Sequence, residues 1–81
     1  MALGRSNEIS LSGMRLSARN QLAGKVVSVN HGAAIANVEI EVAGQRLVAS
    51  ITDEAAQELG LEPGVDVVAV IKASDVMVAV P

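Results

Sequence analysis

The sequence predicts an all-β domain carrying a single short helix, and three observations support that prediction. From residue 21 onward, apolar and polar residues alternate with a period of two over long stretches. Turn-forming residues (Asn30-His31-Gly32, Ala43-Gly44, Pro63-Gly64) punctuate those stretches at short intervals. Only residues 52–60 combine an acidic start with a glycine stop, the signature of a helix.

Taken in order, residues 22–30 form a first strand through Val26, Val27 and Val29, ending at the Asn30-His31-Gly32 turn. Residues 34–42 place Ala36, Val38, Ile40 and Val42 on one face and Asn37, Glu39 and Glu41 on the other, a strand with one wet side. Ala43-Gly44 makes a tight turn, and residues 45–52 return through Leu47, Ala49 and Ile51 as the second arm of a hairpin. Thr52 or Asp53 can then cap a helix of about two turns, with Gly60 just past its end. Leu61-Glu62-Pro63-Gly64 is a turn. Residues 65–72 form a fourth strand, apolar on both faces and therefore expected to be central or interfacial. Ala73-Ser74-Asp75 breaks it, and residues 76–80 are expected to form a fifth strand. Five short strands with one helix between the third and fourth is the order of a small OB-type barrel. Residues 1–13, polar and without a period, are expected to be a flexible leader, native or added, ahead of a domain spanning residues 14–81.

Composition bounds the function. A chain of 81 residues holds one domain, and it has no Cys, Phe, Tyr or Trp, although 51% of it is hydrophobic. An aliphatic chain without staples or large core-fillers is expected to finish its burial against copies of itself. The net charge of −3 and the missing aromatics argue against binding to single-stranded nucleic acid, which uses a basic groove and stacking platforms. No apolar run approaches the ~20 residues of a membrane helix, and the first residues lack the core of a secretory signal. A cytoplasmic location is the default expectation. One His and no Cys leave no constellation for catalysis or for a bare metal cation, so no enzyme is expected.

Two donor clusters remain: Ser17-Ala18-Arg19-Asn20-Gln21 before the first strand, and Lys72-Ala73-Ser74 after the fourth. A tetrahedral dianion presents four acceptor oxygens and needs hydroxyls, amide N–H groups and one or two cations converging on it. Arg19 offers a planar fork, Lys72 a mobile charge, Ser17 a hydroxyl, and the backbone around Ala73 and Ser74 further N–H groups if the chain turns there. Spacing alone favours Arg19 and Lys72 as solvated surface charges and Ser17 and Ser74 as turn or cap residues.

The strings LSARNQLAGKVVSVNHGAAIANVEIEV, LVASIT and LEPGVDVVAVIKASDVMVAV resemble the Mop family of molbindins over residues 14–80. That resemblance implies an OB-type barrel assembled as a homohexamer, a trimer of dimers, holding molybdate or tungstate at subunit interfaces without an organic cofactor. By position it implies oxyanion binding by Ser17, Arg19 and Asn20 of one subunit and by Lys72, Ala73 and Ser74 of another, with Thr52 as a further hydroxyl near the anion. Ala55 stands where some regulator relatives carry Ser. A second oxyanion site is implied at His31, Gly32 and Ala33, where relatives often carry Lys in place of His31 and protonation would matter. With no DNA-binding helices or ATPase domain beside the module, the expectation is storage or buffering of the oxyanion. The alternative is a structural OB-type assembly module with a degenerate site.

Overall fold

The structure, a computed structural model, describes residue 17 and residues 19–81. The expected leader therefore lies outside the described residues, as does Ala18 of the first donor cluster. The elements follow the order β1 (Asn20–Asn30), β2 (Ile35–Val42), β3 (Gln45–Thr52), α1 (Asp53–Glu58), β4 (Asp66–Ile71) and a 3-10 turn, Ala73–Asp75. The strands form one open antiparallel sheet in the order β3-β2-β1-β4. The chain divides into two compact units, Ala23–Val67 and the described part of Met1–Leu22 with Val68–Pro81.

In the first of these units, β2 and β3 pair in unbroken register from Ile35↔Thr52 to Val42↔Gln45. The two residues left over, Ala43 and Gly44, both take positive φ (50° and 80°). That is the twist a two-residue hairpin loop needs to match its strands. Gly44 adopts it freely, whereas Ala43 pays a steric penalty at Cβ. The alternation read from the sequence holds: Ala36, Val38 and Ile40 are buried, while Asn37 and Glu41 face solvent. Val38, 1% exposed, is the largest fully buried side chain among the described residues.

β1 breaks its own alternation. Val26 pairs with Ile40 but Ser28 pairs with Glu39, so Val27 is an extra residue. This bulge resolves a conflict of phase. Val26 and Val29 are three apart and would point to opposite faces of a regular strand. With Val27 bulged out, Val26 is buried and Val29 packs on the same core. Gly24, just before it, is required by proximity, since a Cβ there would lie 2.5 Å from the carbonyl oxygen of Glu41 and 2.9 Å from Val42 Cγ2.

α1 starts and stops where its sequence dictates. Thr52 is the N-cap, its Oγ1 accepting from Ala55 N–H at 3.1 Å. At the other end Gly60 (φ 65°) donates to Gln57 O, and Leu61 N–H reaches back to Ala56 O at 3.1 Å. These two bonds make a Schellman closure that occupies otherwise unpaired carbonyls. Ala56 is the helix residue buried on the sheet. The next turn is Glu62–Val65, closed by Val65 N–H to Glu62 O at 3.1 Å with Pro63 and Gly64 in its centre. It returns the chain to β1, where Val26 N–H donates to Val65 O and Gly64 N–H to Val26 O.

The second unit departs from the expected five strands. The sheet has four, and residues 76–80 take no ladder among the described residues. Their β-favouring composition is a preference for packing on a neighbouring strand, and here no neighbour is supplied. Met77, Val78 and Val80 stand 94%, 89% and 85% exposed. β4, expected to be central or interfacial from its two apolar faces, is not central: it ends the sheet order as an edge strand. No helix among the described residues is long and apolar enough to cross a membrane.

Candidate functional site

The two donor clusters fall in the same unit and are joined by a side chain. Asn20 opens β1, and its Nδ2 donates to the carbonyl oxygen of Ile71, the last residue of β4, at 3.2 Å across 51 positions of sequence. Arg19 directly precedes Asn20 and Lys72 directly follows Ile71. The bond therefore ties together, within one chain, the backbones that carry the two cations, which the resemblance assigned to different subunits. Ser17, Arg19 and Lys72 are all exposed, and Asn20 is partly buried.

Beyond Lys72 the chain turns, as the sequence required for backbone donors. Asp75 N–H donates to Lys72 O at 2.8 Å and Val76 N–H to Ala73 O at 3.2 Å, closing the 3-10 turn. The N–H groups of Ala73 and Ser74 precede the first bond of that turn and are not consumed by it. Ser17, Arg19, Lys72, Ala73 and Ser74 are exposed, Asn20 is partly buried, and all six fall in one compact unit as two donor-bearing segments joined by the Asn20–Ile71 bond. Such a set of donors matches an acceptor-only ligand.

Thr52 belongs to the other unit. Its Oγ1 accepts the capping bond, which leaves its hydroxyl hydrogen available to donate elsewhere. It borders a depression of about 530 Å³ together with Ala33, Ala34, Asp53, Glu54 and Glu58. Three carboxylates on that rim make it unwelcoming to an anion.

The turn after β1 is held by contacts that the sequence did not reveal. His31 Nδ1–H donates to Asp53 Oδ1 at 2.5 Å, and Gln57 Nε2 donates to Asp53 Oδ2 at 3.1 Å. These two hydrogen bonds, Gln57 first and then His31, hold the Asp53 carboxyl below its ordinary value of 3.8, with a smaller charge effect from His31. The i, i+4 spacing of Asp53 and Gln57 was a readable signal; the 22-residue reach to His31 was not. Gly32 is fixed by crowding, because a Cβ there would meet the carbonyl oxygen of Ile35 at 2.6 Å. Of the predicted second site, His31 is therefore already paired to a carboxylate, while Gly32 and Ala33 are exposed backbone. Among the described residues, the Lys and Arg side chains held in ion pairs are Lys25, with Asp66 at 2.5 Å, and Arg46, with Glu39 at 3.2 Å. No group of three or more His, Cys, Asp or Glu side chains among the described residues is arranged to hold a metal cation.

Comparison with known proteins bears on this geometry. A TOBE domain profile matches residues 16–78. Molybdenum-pterin-binding protein 1 of Clostridium pasteurianum is 46% identical over 66 residues, which is 80% of this chain and 97% of that protein. Among solved structures, MopII from Clostridium pasteurianum superposes with a TM-score of 0.75 at 40% identity, covering 82% of this chain and 100% of that one. The cytoplasmic molybdate-binding protein ModG, solved with molybdate bound, gives a TM-score of 0.81 at 46% identity, over 89% of this chain and 52% of ModG. These neighbours make the four-stranded sheet with its short helix an OB-like fold. A match spanning most of the chain and nearly the whole of its short relatives settles the kinship: the protein belongs to the TOBE-domain family, alongside the Mop molybdenum-pterin-binding proteins.

Proposed function

We propose that this protein binds molybdate, or the isosteric tungstate, and acts as an intracellular store or buffer of the oxyanion, with no catalytic role and no organic cofactor. The observation that carries the reading is the Asn20–Ile71 hydrogen bond, which sets Arg19 and Lys72 on adjoining backbone. In this reading Arg19 supplies a fork of donors, Lys72 a point charge, Ser17 and Ser74 hydroxyls, and Ala73 and Ser74 backbone N–H groups. Thr52 of a neighbouring subunit supplies a further hydroxyl, despite the carboxylates beside it. Relatives named for molybdenum-pterin binding, and ModG with molybdate bound, support the choice of ligand.

The site is completed between subunits of a homo-oligomer, a trimer of dimers. Support comes from the exposed apolar side chains of residues 76–80 and from β4 standing at a sheet edge. In the assembly, residues 76–80 become the fifth strand and the barrel closes. A cytoplasmic location fits ModG, which is described as cytoplasmic. The domain runs over residues 14–81, with residues 1–13 as a leader. His31, Gly32 and Ala33 form a second, weaker site that an anion enters only when His31 is protonated, because Asp53 otherwise dominates the local charge.

Native mass spectrometry with molybdate, and with sulfate as the control anion, tests the reading. A hexamer that retains several molybdates and no sulfate is expected, and Arg19→Ala and Lys72→Ala should each weaken retention at least tenfold with assembly intact. Unchanged retention in both variants removes the site assignment. The alternative is an assembly module with a degenerate anion site, favoured by the three carboxylates beside Thr52. It predicts a stable oligomer that retains neither anion.

A further inference from the structure

We infer that Asn20 is a positioning residue of the oxyanion site and does not itself touch the anion. The inference rests on the molybdate-binding reading above and refines it. Sequence position alone places Asn20 beside Ser17 and Arg19 as one more donor. The structure instead commits its amide: Nδ2 donates to Ile71 O at 3.2 Å, in a partly buried position, while Arg19 next to it is exposed. Ile71 closes β4, and the 3-10 turn begins from Lys72 immediately after it. One side chain therefore stitches the start of the first strand to the end of the fourth, at the point where the two cations leave the sheet.

The physical role follows from what each cation lacks. Arg19 and Lys72 sit on long side chains at exposed positions, and two such chains converge on one anion only if their backbones are held at a fixed separation. Strand ends fray, and a ladder bond at the last residue of an edge strand is a weak anchor. A side-chain bond to the Ile71 carbonyl restrains both ends at once. Losing a residue that orients direct ligands lowers affinity by roughly 10- to 100-fold in well-studied sites. Fixed separation should matter most for discrimination by size, since a loosened site can shrink onto the smaller sulfate.

The test uses the full-length protein. Molybdate and sulfate affinities are measured by calorimetry for the native protein, Asn20→Ala and Asn20→Gln, with oligomeric mass recorded for each. The expected result is a roughly tenfold loss of molybdate affinity in Asn20→Ala, a smaller ratio of molybdate to sulfate affinity, and partial recovery in Asn20→Gln, which keeps the amide. A role confined to fold stability would lower the melting temperature while leaving affinity and selectivity at native values, and would overturn the inference. Side-chain amide NMR on the native protein gives an independent reading that does not depend on any variant folding. The Asn20 amide proton bonded to Ile71 should stay protected from exchange and keep its shift when molybdate is replaced by tungstate. A shift that follows the anion makes Asn20 a direct ligand and overturns the inference. If the native protein binds no molybdate at all, the underlying functional reading fails, and it fails separately from the role of Asn20.

Discussion

Gly24 separates two opposing effects of glycine, and Gly24→Ala measures which one wins. Its φ lies outside the left-handed region, so an alanine meets no backbone penalty there. Replacing a strand glycine in that situation should stabilise by about 0.4–1 kcal/mol through the unfolded chain. Space argues the other way. The added Cβ would lie 2.5 Å from Glu41 O, 2.9 Å from Val42 Cγ2 and 3.0 Å from Ile40 Cγ2. Carbon and carbonyl oxygen ordinarily approach no closer than about 3.3 Å. The oxygen belongs to a strand paired on both sides, so it cannot swing away as a flexible side chain would. Overpacking of this kind costs about 1–3 kcal/mol, and the net expectation is a loss of about 1–2 kcal/mol. In a domain this small, that lowers the melting temperature by roughly 4–16 °C. Urea unfolding at fixed protein concentration, followed by far-UV circular dichroism, reads the change. Gly44→Ala is the contrast: nothing lies within 4 Å of its Cβ, and its cost comes only from φ +80°. Native stability in Gly24→Ala would refute the close packing of β1 on β2 that this reasoning assumes.

Three further outcomes follow from particular contacts. Ala43→Asn should raise stability by about 0.5–1 kcal/mol, because Ala43 is held at φ 50° and Asn tolerates that region better; a lower melting temperature would contradict it. Thr52→Ala removes the cap on Ala55 N–H and should cost about 1 kcal/mol in urea unfolding, whereas Thr52→Ser should retain most of it. Asp53 carries a carboxyl lowered by Gln57 and His31, so its contribution is present above the ordinary value of 3.8 and is lost as pH falls through the lowered one. Asp53→Asn should therefore be less stable than the native protein at neutral pH and converge on it in acid; a gap that stays constant down to the acid limit would show that the pair contributes no proton linkage.

What was legible in the sequence was local. The β2–β3 hairpin was readable because period-two burial and a two-residue loop are both written within 18 positions, and the structure keeps that register without a slip. The helix was readable because its cap, acidic first turn and stopping glycine are contiguous. The Val27 bulge was not, since a valine pair inside a valine-rich strand looks like ordinary continuity until the inward residues are identified. Residues 76–80 read as a strand because their side chains favour one, but a strand is a pairing and the partner is not written in the segment itself. The two donor segments could be picked out in the sequence, whereas the side chain that joins them could not. Asn20 looks like any other donor until its bond to a residue 51 positions away is seen.

The last two of these failures of local reading have a common physical source. The buried apolar residues among those described are Val26, Ala36, Val38, Ile40 and Ala56, all aliphatic and none larger than isoleucine. A core of that size leaves little margin over the conformational entropy of the chain. Much of the remaining apolar surface lies instead where a single chain cannot cover it, on residues 76–80 and on Val70 of the edge strand. Under the proposed assembly, burial of that surface and completion of the donor cluster happen together. A ligand bound only by the assembled state stabilises it by about 2.7 kcal/mol at a hundredfold excess over its dissociation constant. Against so small a core, that is a large share of the total. Anion occupancy and subunit association would then be one equilibrium, which suits the proposed role of an oxyanion store that must also release its ligand.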